Sequence, residues 1–430
     1  MLCCKLLQNE AKTWKGCVIF TIIVFVAFSI GLTTGYMVIK FNTIFDGIES
    51  PNNVIEAMRT SCSATSVETD TGKVYLERFL ERQDKMFSCI HSSEECWNYG
   101  LPRTYLVNHL NDKKIEIDGK LDDEAWNEVP WSEPFADIRS TIYGKPIYDT
   151  KFKMRWDNDN LYIGVYLQEN NLWATNDVHD SAIYSENSLE ILLGIDGFSF
   201  NYKQIDINVL GTILDLLMFK SPYETSFESA SDLSWNSTSN YSVHFEGTLN
   251  TPGDIDKFWS VEMALPFQRL SEGSQRVHDA PIEDEVWPTM LGRSQPNITV
   301  RNGKYEKGPS FYWKWWSWQP CDAFNMHLQH RWGLIQFKHN IHDNEFKFPQ
   351  WHIYKALFEV HDALEKYKAV SEFYTYTIEA LDVPPYLLSR ACVDIPDILI
   401  RGSDFNITVN SMLISGMSAH IRSDRYVTFH

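Results

Sequence analysis

The side chains of this chain that could do chemistry are mainly of two kinds. There are 15 Trp and 20 Tyr beside 57 Asp and Glu in 430 residues. Aromatic faces stack on the C–H faces of sugar rings, while carboxylates and amides bind the hydroxyls. For any single Trp, the core is the better-founded place. The run Trp313-Lys-Trp315-Trp316-Ser-Trp318 shows why. On a strand, Trp313 and Trp315 point one way and Trp316 and Trp318 the other, so at least one pair is structural. A glycosidase needs two carboxylates about 5–10 Å apart, one of raised pKa, and nothing in the spacing singles out such a pair. Nucleophile-elbow, P-loop, HExxH and dinucleotide fingerprints are missing from the sequence. The loops Asp157-Asn-Asp-Asn160 and Asp118-Gly-Lys-Leu-Asp122-Asp123 carry the hard oxygens that Ca²⁺ takes. Neither follows EF-hand spacing, and Asx-rich turns account for them as well. Ca²⁺ is the one cofactor indicated, and no metal ligand set can be named.

Stepping outward, the elements that must position these groups change character along the chain. From about residue 113, runs with period-two alternation appear between Asp, Asn, Gly and Pro clusters. Leu161, Ile163, Val165 and Leu167 alternate with Tyr162, Gly164 and Tyr166, as a strand with one face in a core requires. Similar runs fall at 151–156, 188–195, 202–209, 211–218, 241–248, 258–265 and 332–337. The expected fold is all-β, an antiparallel β-sandwich over 113–337. Ile353, Leu357, Val360, Leu364 and Tyr367 then recur at spacings of 4, 3, 4 and 3, the stripe of an amphipathic helix. Residues 381–430 return to short strands such as 396–400 and 425–429. The region 338–430 is therefore a helix-and-strand extension packed on the sandwich.

The N-terminal region has a different logic. Cys17 to Ile39 are 23 residues without a charge, long enough to cross a hydrocarbon core of about 30 Å. The stretch exceeds a signal-peptide core and runs into Tyr36-Met37-Val38, a poor cleavage context. Lys5, Lys12 and Lys15 flank it on the N-terminal side, which places residues 1–16 in the cytosol by the positive-inside rule. Residues 1–40 carry +3 and the remainder −22, within a total of −19. This acidity excludes a nucleic-acid backbone as partner. The expected topology is a single-pass type II membrane protein with an extracellular or lumenal body. Residues 40–112 read as a stalk and a Cys-bearing collar.

The sequons at Asn236, Asn240, Asn297 and Asn406 all lie on the outer side. That compartment permits disulfides. Cys62, Cys89, Cys96, Cys321 and Cys392 face it, an odd number that leaves one free or paired between chains. The short spacing favours Cys89 with Cys96, and Cys62 in the stalk is a candidate for linking a homodimer.

One stretch of residues goes further. Ile115-Glu-Ile-Asp-Gly-Lys-Leu-Asp-Asp-Glu-Ala-Trp126 resembles the opening motif of family 9 carbohydrate-binding modules. Trp156-Asp-Asn-Asp-Asn-Leu-Tyr-Ile163, Asn187-Ser-Leu-Glu-Ile-Leu-Leu193 and Ile207-Asn-Val-Leu-Gly-Thr212 follow in that family's order. So do Trp259-Ser-Val-Glu-Met-Ala-Leu-Pro-Phe267, Trp287 through Arg293, Trp316-Ser-Trp318 and Arg331-Trp-Gly-Leu-Ile-Gln-Phe337. The resemblance implies a jelly-roll-like sandwich that holds a terminal sugar between two aromatic rings. Tyr184 matches the first ring position, where characterised binders have Trp. The second falls at Met326, with Phe324 and His327 beside it, and Gln329 replaces a common proline. Met290 stands where Asn is frequent, while Arg293 matches. Asn187, Glu190, Gln204 and Asn208 are the remaining expected hydroxyl-binding side chains.

The resemblance thus implies an ectodomain that binds a glycan or glycoconjugate without turnover. The alternatives are a protein-interaction or structural ectodomain on the same fold, and action on glycosidic bonds in carbohydrate catabolism. No attached catalytic domain is recognisable, so an enzyme, if any, would be a glycosyl hydrolase.

Overall fold

The computed structural model describes residues 93–196, 200–222, 226–308, 314–322 and 326–430. The expected anchor at 17–39, the cytosolic tail, Cys62, Cys89, Trp313 and Phe324 lie outside them. Among the described residues, no helix is long and apolar enough to cross a membrane.

The strands are β1 (Thr104–His109), β2 (Ala136–Asp137), β3 (Thr150–Trp156), β4 (Asn160–Gln168), β5 (Ser188–Leu193), β6 (Phe200–Asn208) and β7 (Ile213–Lys220). They continue with β8 (Ser231–Asp232), β9 (Asn240–Glu246), β10 (Phe258–Pro266), β11 (Val286–Gln295), β12 (Ile298–Arg301) and β13 (Lys304–Lys307). After these come β14 (Lys314–Ser317), β15 (Gly333–Lys338), β16 (Asp397–Arg401), β17 (Asp404–Asn410), β18 (Ser418–Arg422) and β19 (Val427–Phe429). Among the described residues, thirteen strands form one sheet in the order β8-β7-β6-β5-β11-β15-β1-β3-β4-β10-β9, with β14 and β2 branching from β11.

The sheet curls so that its two halves share a core. Phe152, Leu161, Ile163 and Val261 of one half join Leu189, Ile191, Ile205, Leu291 and Ile335 of the other in one buried cluster. The expected period-two runs are therefore strands with one face in this inner core. The sheet is mixed rather than purely antiparallel, because β1 runs parallel to both β15 and β3. Its Tyr105 and Val107 face the core, so the sheet begins before residue 113, within the stretch expected to be collar. Strand β1 was hidden because it is short and its parallel neighbours are distant in sequence.

The opening motif turns out to be a clasp. Trp126 Nε1 donates to Glu262 Oε1 at 2.8 Å, and the Asp118 and Gly119 amides donate to Glu262 Oε2 at 3.0 and 2.8 Å. Gly119 has φ +89° and lies against the backbone of Val243 and His244, a position that excludes any side chain.

The predicted helix spans Trp351–Ser371 and ends where Glu372 adopts φ 67° and donates its N–H to Lys368 O. Its stripe of Ile353, Leu357, Val360 and Leu364 packs with Phe405, Ile407, Ala419 and Ile421 in a second core. There β16 to β19 make a four-stranded antiparallel sheet. Leu334 on the outer face of β15 joins this cluster, and Gln336 Nε2 donates to Lys347 O at 2.6 Å. The pairing of Cys89 with Cys96 is overturned. Cys96 is bonded to Cys392, with Cα atoms 5.5 Å apart and a sequence separation of 296. The short helix Ser93–Asn98 packs on Trp351–Ser371, which brings Cys96 to the extension. Cys321 is free and buried.

Candidate functional site

Strand register decides which expected site residues meet. Glu190 on β5 stands opposite Asp206 on β6 and opposite Gly292 on β11. Directly paired residues project from the same face of a sheet. Tyr202, Gln204 and Asp206 follow one another at period two on β6, so they share that face with Glu190 and Leu192. It is the outer face. Its cover is a third cluster made of Ile138, Ile183, Leu192, Tyr202, Leu214, Leu216, Met290, Met326 and Trp332.

Glu190 is 6% exposed and Asp206 is 1% exposed. Among the described residues, no cation pairs with either. Burial, with Asp206 beside it, holds the Glu190 carboxyl well above the usual carboxylate range. Burial pushes Asp206 up to about 8, opposed by the Gln204 amide, whose Nε2 donates to Asp206 Oδ1 and Oδ2 at 3.3 and 3.2 Å. Two adjacent carboxyls in a dry setting resist ionising, so the pair keeps its protons near neutral pH. Among the described residues, Gln204 Oε1 is buried with no hydrogen-bond partner. The face therefore presents protonated carboxyls and, among the described residues, an unpartnered amide carbonyl.

Two segments border this face. The 3₁₀ turn Ile183–Ser185 lies over β5 and β6, burying Ile183 in the outer cluster and leaving the Tyr184 ring 46% exposed. On the other side comes the loop before β15. Met326 lies against Gly292, where a Cβ would collide with its sulfur. Trp332 Nε1 donates to Met326 O. His327 Nδ1 and the Tyr202 hydroxyl share a 2.7 Å hydrogen bond, and Ser221 Oγ donates to His327 O at 2.9 Å. Burial lowers His327 to about 4, so it is neutral at pH 7. Cys321 joins the same cluster, and burial pushes its thiol up to about 12.

The structure thus brings Tyr184's turn, Glu190, Gln204 and His327 to one face, puts Arg293 and Asn187 in a separate network, and uses Asn208, at the end of β6, to close a turn. Arg293 pairs in register with Leu189, which puts it on the inner face. There Arg293 Nη2 donates to Glu169 Oε2 at 2.7 Å and Gln295 Oε1 at 2.8 Å, and Nη1 to Thr150 Oγ1 at 3.0 Å and Gln168 O at 2.7 Å. Asn187 belongs to that network: its Nδ2 donates to Glu169 Oε2 at 3.0 Å and its Oδ1 accepts from Trp173 N at 2.7 Å. Asn208 closes a turn, accepting from the Leu210 and Thr212 amides at 3.0 Å. Its Nδ2 donates to Asn176 O and Glu186 Oε2.

The residue missed from sequence is Asp206. Its signal was present, because it lies two residues beyond Gln204 in an alternating strand. The two Asx-rich loops use their carboxylates internally. Asp157 Oδ1 accepts from the Asp159 and Asn160 amides and Oδ2 from the Tyr162 hydroxyl, while Asp118 takes the Lys120 amide and ammonium. Trp316 and Trp318 fill the inner core, and Trp315 packs on the outer cluster. A cavity of about 680 Å³ lies away from this face, between Phe200 of the sandwich and Phe348 and Tyr426 of the extension.

Residues 117–209 match the family model described as carbohydrate family 9 binding domain-like. The match runs from the opening clasp through β6 and contains Tyr184, Glu190, Gln204 and Asp206. Similar solved structures include a family 9 carbohydrate-binding module from Caldicellulosiruptor kristjanssonii in complex with cellotriose. It is 15% identical, covers 57% of this chain and 99% of its own, and has a TM-score of 0.37. A module of the same family and organism in complex with glucose is 17% identical, covers 56% and 99%, and scores 0.36. Among curated proteins, none matches this chain. The chain carries a family 9 carbohydrate-binding-like segment.

Proposed function

We propose that the outer face of β5 and β6 binds carbohydrate without turning it over. The observation that carries this is the buried Glu190–Asp206 pair with no cation beside it. Burying carboxyl groups is costly unless hydrogen bonds satisfy them, and sugar hydroxyls both donate and accept without adding charge. The protonated carboxyls and the Gln204 carbonyl offer the complementary set. The half-exposed Tyr184 ring supplies a stacking surface at the border. The match to the family model over 117–209 supports the same conclusion. The test is a glycan array probed with the full chain purified in detergent, with and without chelator. Binding to a defined sugar terminus is expected, and release of reducing ends is not.

One observation favours a second reading. Met326 occupies the position of the second aromatic wall and rests on Gly292. A sandwich that kept the fold and filled its sugar site would serve as a protein-interaction ectodomain, and an array without any bound glycan would select that reading.

The topology belongs to the same proposal: residues 17–39 anchor the chain as type II, with residues 93–430 outside the cytosol. Asn236 and Asn240 are exposed, and Asn297 and Asn406 are partly so, as acceptors of N-glycans must be. Protease added to intact cells should remove the body, and glycosidase treatment should raise its gel mobility.

A further inference from the structure

Away from the sugar face, His179 stands in the loop that leads to Tyr184, between two carboxylates. Its Nδ1 is 3.0 Å from Asp180 Oδ2, and its Nε2 is 3.6 Å from Asp215 Oδ1. Atoms from the three side chains all lie within 4.8 Å of one another. Asp215, on β7, is 1% exposed. One of its oxygens accepts from the Ser237 amide at 2.6 Å, while Oδ1, the oxygen aimed at His179, has no hydrogen-bond partner among the described residues. A buried carboxylate oxygen in that state calls for a cation. The Asp180 amide donates to Ile213 O at 2.9 Å, which fixes the loop against the start of β7.

We propose that His179 and Asp215 hold a divalent transition metal of the zinc class, with Asp180 as the residue that orients the imidazole. The 3.6 Å between Nε2 and Oδ1 exceeds a good hydrogen bond. It matches the spacing of two ligands each about 2.1 Å from a common tetrahedral zinc. With Asp180 Oδ2 3.0 Å from Nδ1, the tautomer that carries its proton on Nδ1 leaves the Nε2 lone pair facing Asp215. A carboxylate behind a ligating histidine is the usual outer partner in zinc sites. Imidazole with carboxylate suits zinc, whereas Ca²⁺ takes oxygen donors only. Water completes the coordination. The second group of clustered acids, Glu283, Asp284 and Asp343, differs because Lys338 already pairs with Asp284 and Asp343, and His339 Nδ1 lies against Glu283.

The ion would tie the loop ahead of Tyr184 to β7, and the site stands whether or not the sheet face binds sugar. The full chain, stripped with chelator, is titrated with zinc chloride by calorimetry and its thermal midpoint followed in parallel. One zinc per chain bound at this site, with a raised midpoint, is expected. His179→Ala changes a half-exposed side chain and leaves the fold intact, so it should weaken zinc binding at least tenfold. Asp180→Asn should weaken it by roughly 10–100-fold, as loss of an outer partner does. Should Asp215→Asn fail to fold, His179→Ala alone carries the test. Absence of zinc binding, an affinity unchanged by His179→Ala, or a preference for Ca²⁺ indifferent to His179 would each overturn the proposal.

Discussion

On the inner face of β11, Arg293 meets Glu169, and Asn187, Gln295 and Thr150 complete a network around the pair. On the outer face of the neighbouring β5, Glu190 meets Asp206 with no cation among the described residues, and Gln204 is left with an unpaired carbonyl. Both clusters are buried. The first neutralises its charge by pairing, and the second does so by keeping a proton. A paired cluster is finished, and removing one member leaves an uncompensated charge. The protonated cluster retains hydrogen-bonding capacity that nothing within the described chain uses, and this is why we propose it as the place for a ligand.

The comparison can be broken most forcefully on the inner face. Arg293→Ala should cost about 3–5 kcal/mol of stability, because it strands the Glu169 carboxylate; denaturant unfolding monitored by Trp fluorescence measures this. A loss below 1 kcal/mol would remove the distinction between the clusters. The outer face should show itself through pH. Asp206, raised to about 8, stabilises the fold fully below the ordinary carboxylate range. That contribution is lost as pH rises from about 4 through 8, because the folded state holds the extra proton. Asp206→Asn should flatten this decline by more than about 1 kcal/mol across the window, as thermal midpoints taken from pH 5 to 8.5 would show. Tyr184→Ala should have the smallest effect. Its half-exposed ring contributes little to folding, so the midpoint stays put while affinity for the bound glycan falls by about 0.5–1.5 kcal/mol.

The division between these faces is also where the sequence stops being legible. Period-two alternation located most strands of the sheet and the helical stripe located Trp351–Ser371, because both patterns are local. Glu190 and Gln204 were recognisable by motif and do share a face. Arg293 was not separable from them, because a one-residue difference in pairing decides the matter: β11 sets Gly292, not Arg293, opposite Glu190. Strand β1 and the Cys96–Cys392 bond escaped for a related reason. Each joins segments more than two hundred residues apart in at least one pairing, and spacing along the chain carries no record of that. Asn187 and Asn208 look like ligand amides in sequence, yet the Glu169 network and the turn after β6 use the same donors and acceptors.

The central claim is that the unpaired carboxyls on the outer face serve a ligand. Calorimetric titration of wild type and Glu190→Gln with the best glycan from the array tests it most directly. The variant removes a buried carboxyl that has no cation, so its thermal midpoint should match or exceed that of wild type. Its glycan affinity should fall by about 0.5–1.5 kcal/mol, the net size of a hydrogen bond to a neutral group. An unchanged affinity in a folded Glu190→Gln chain, or a loss of stability equal to that of Arg293→Ala, would contradict the account.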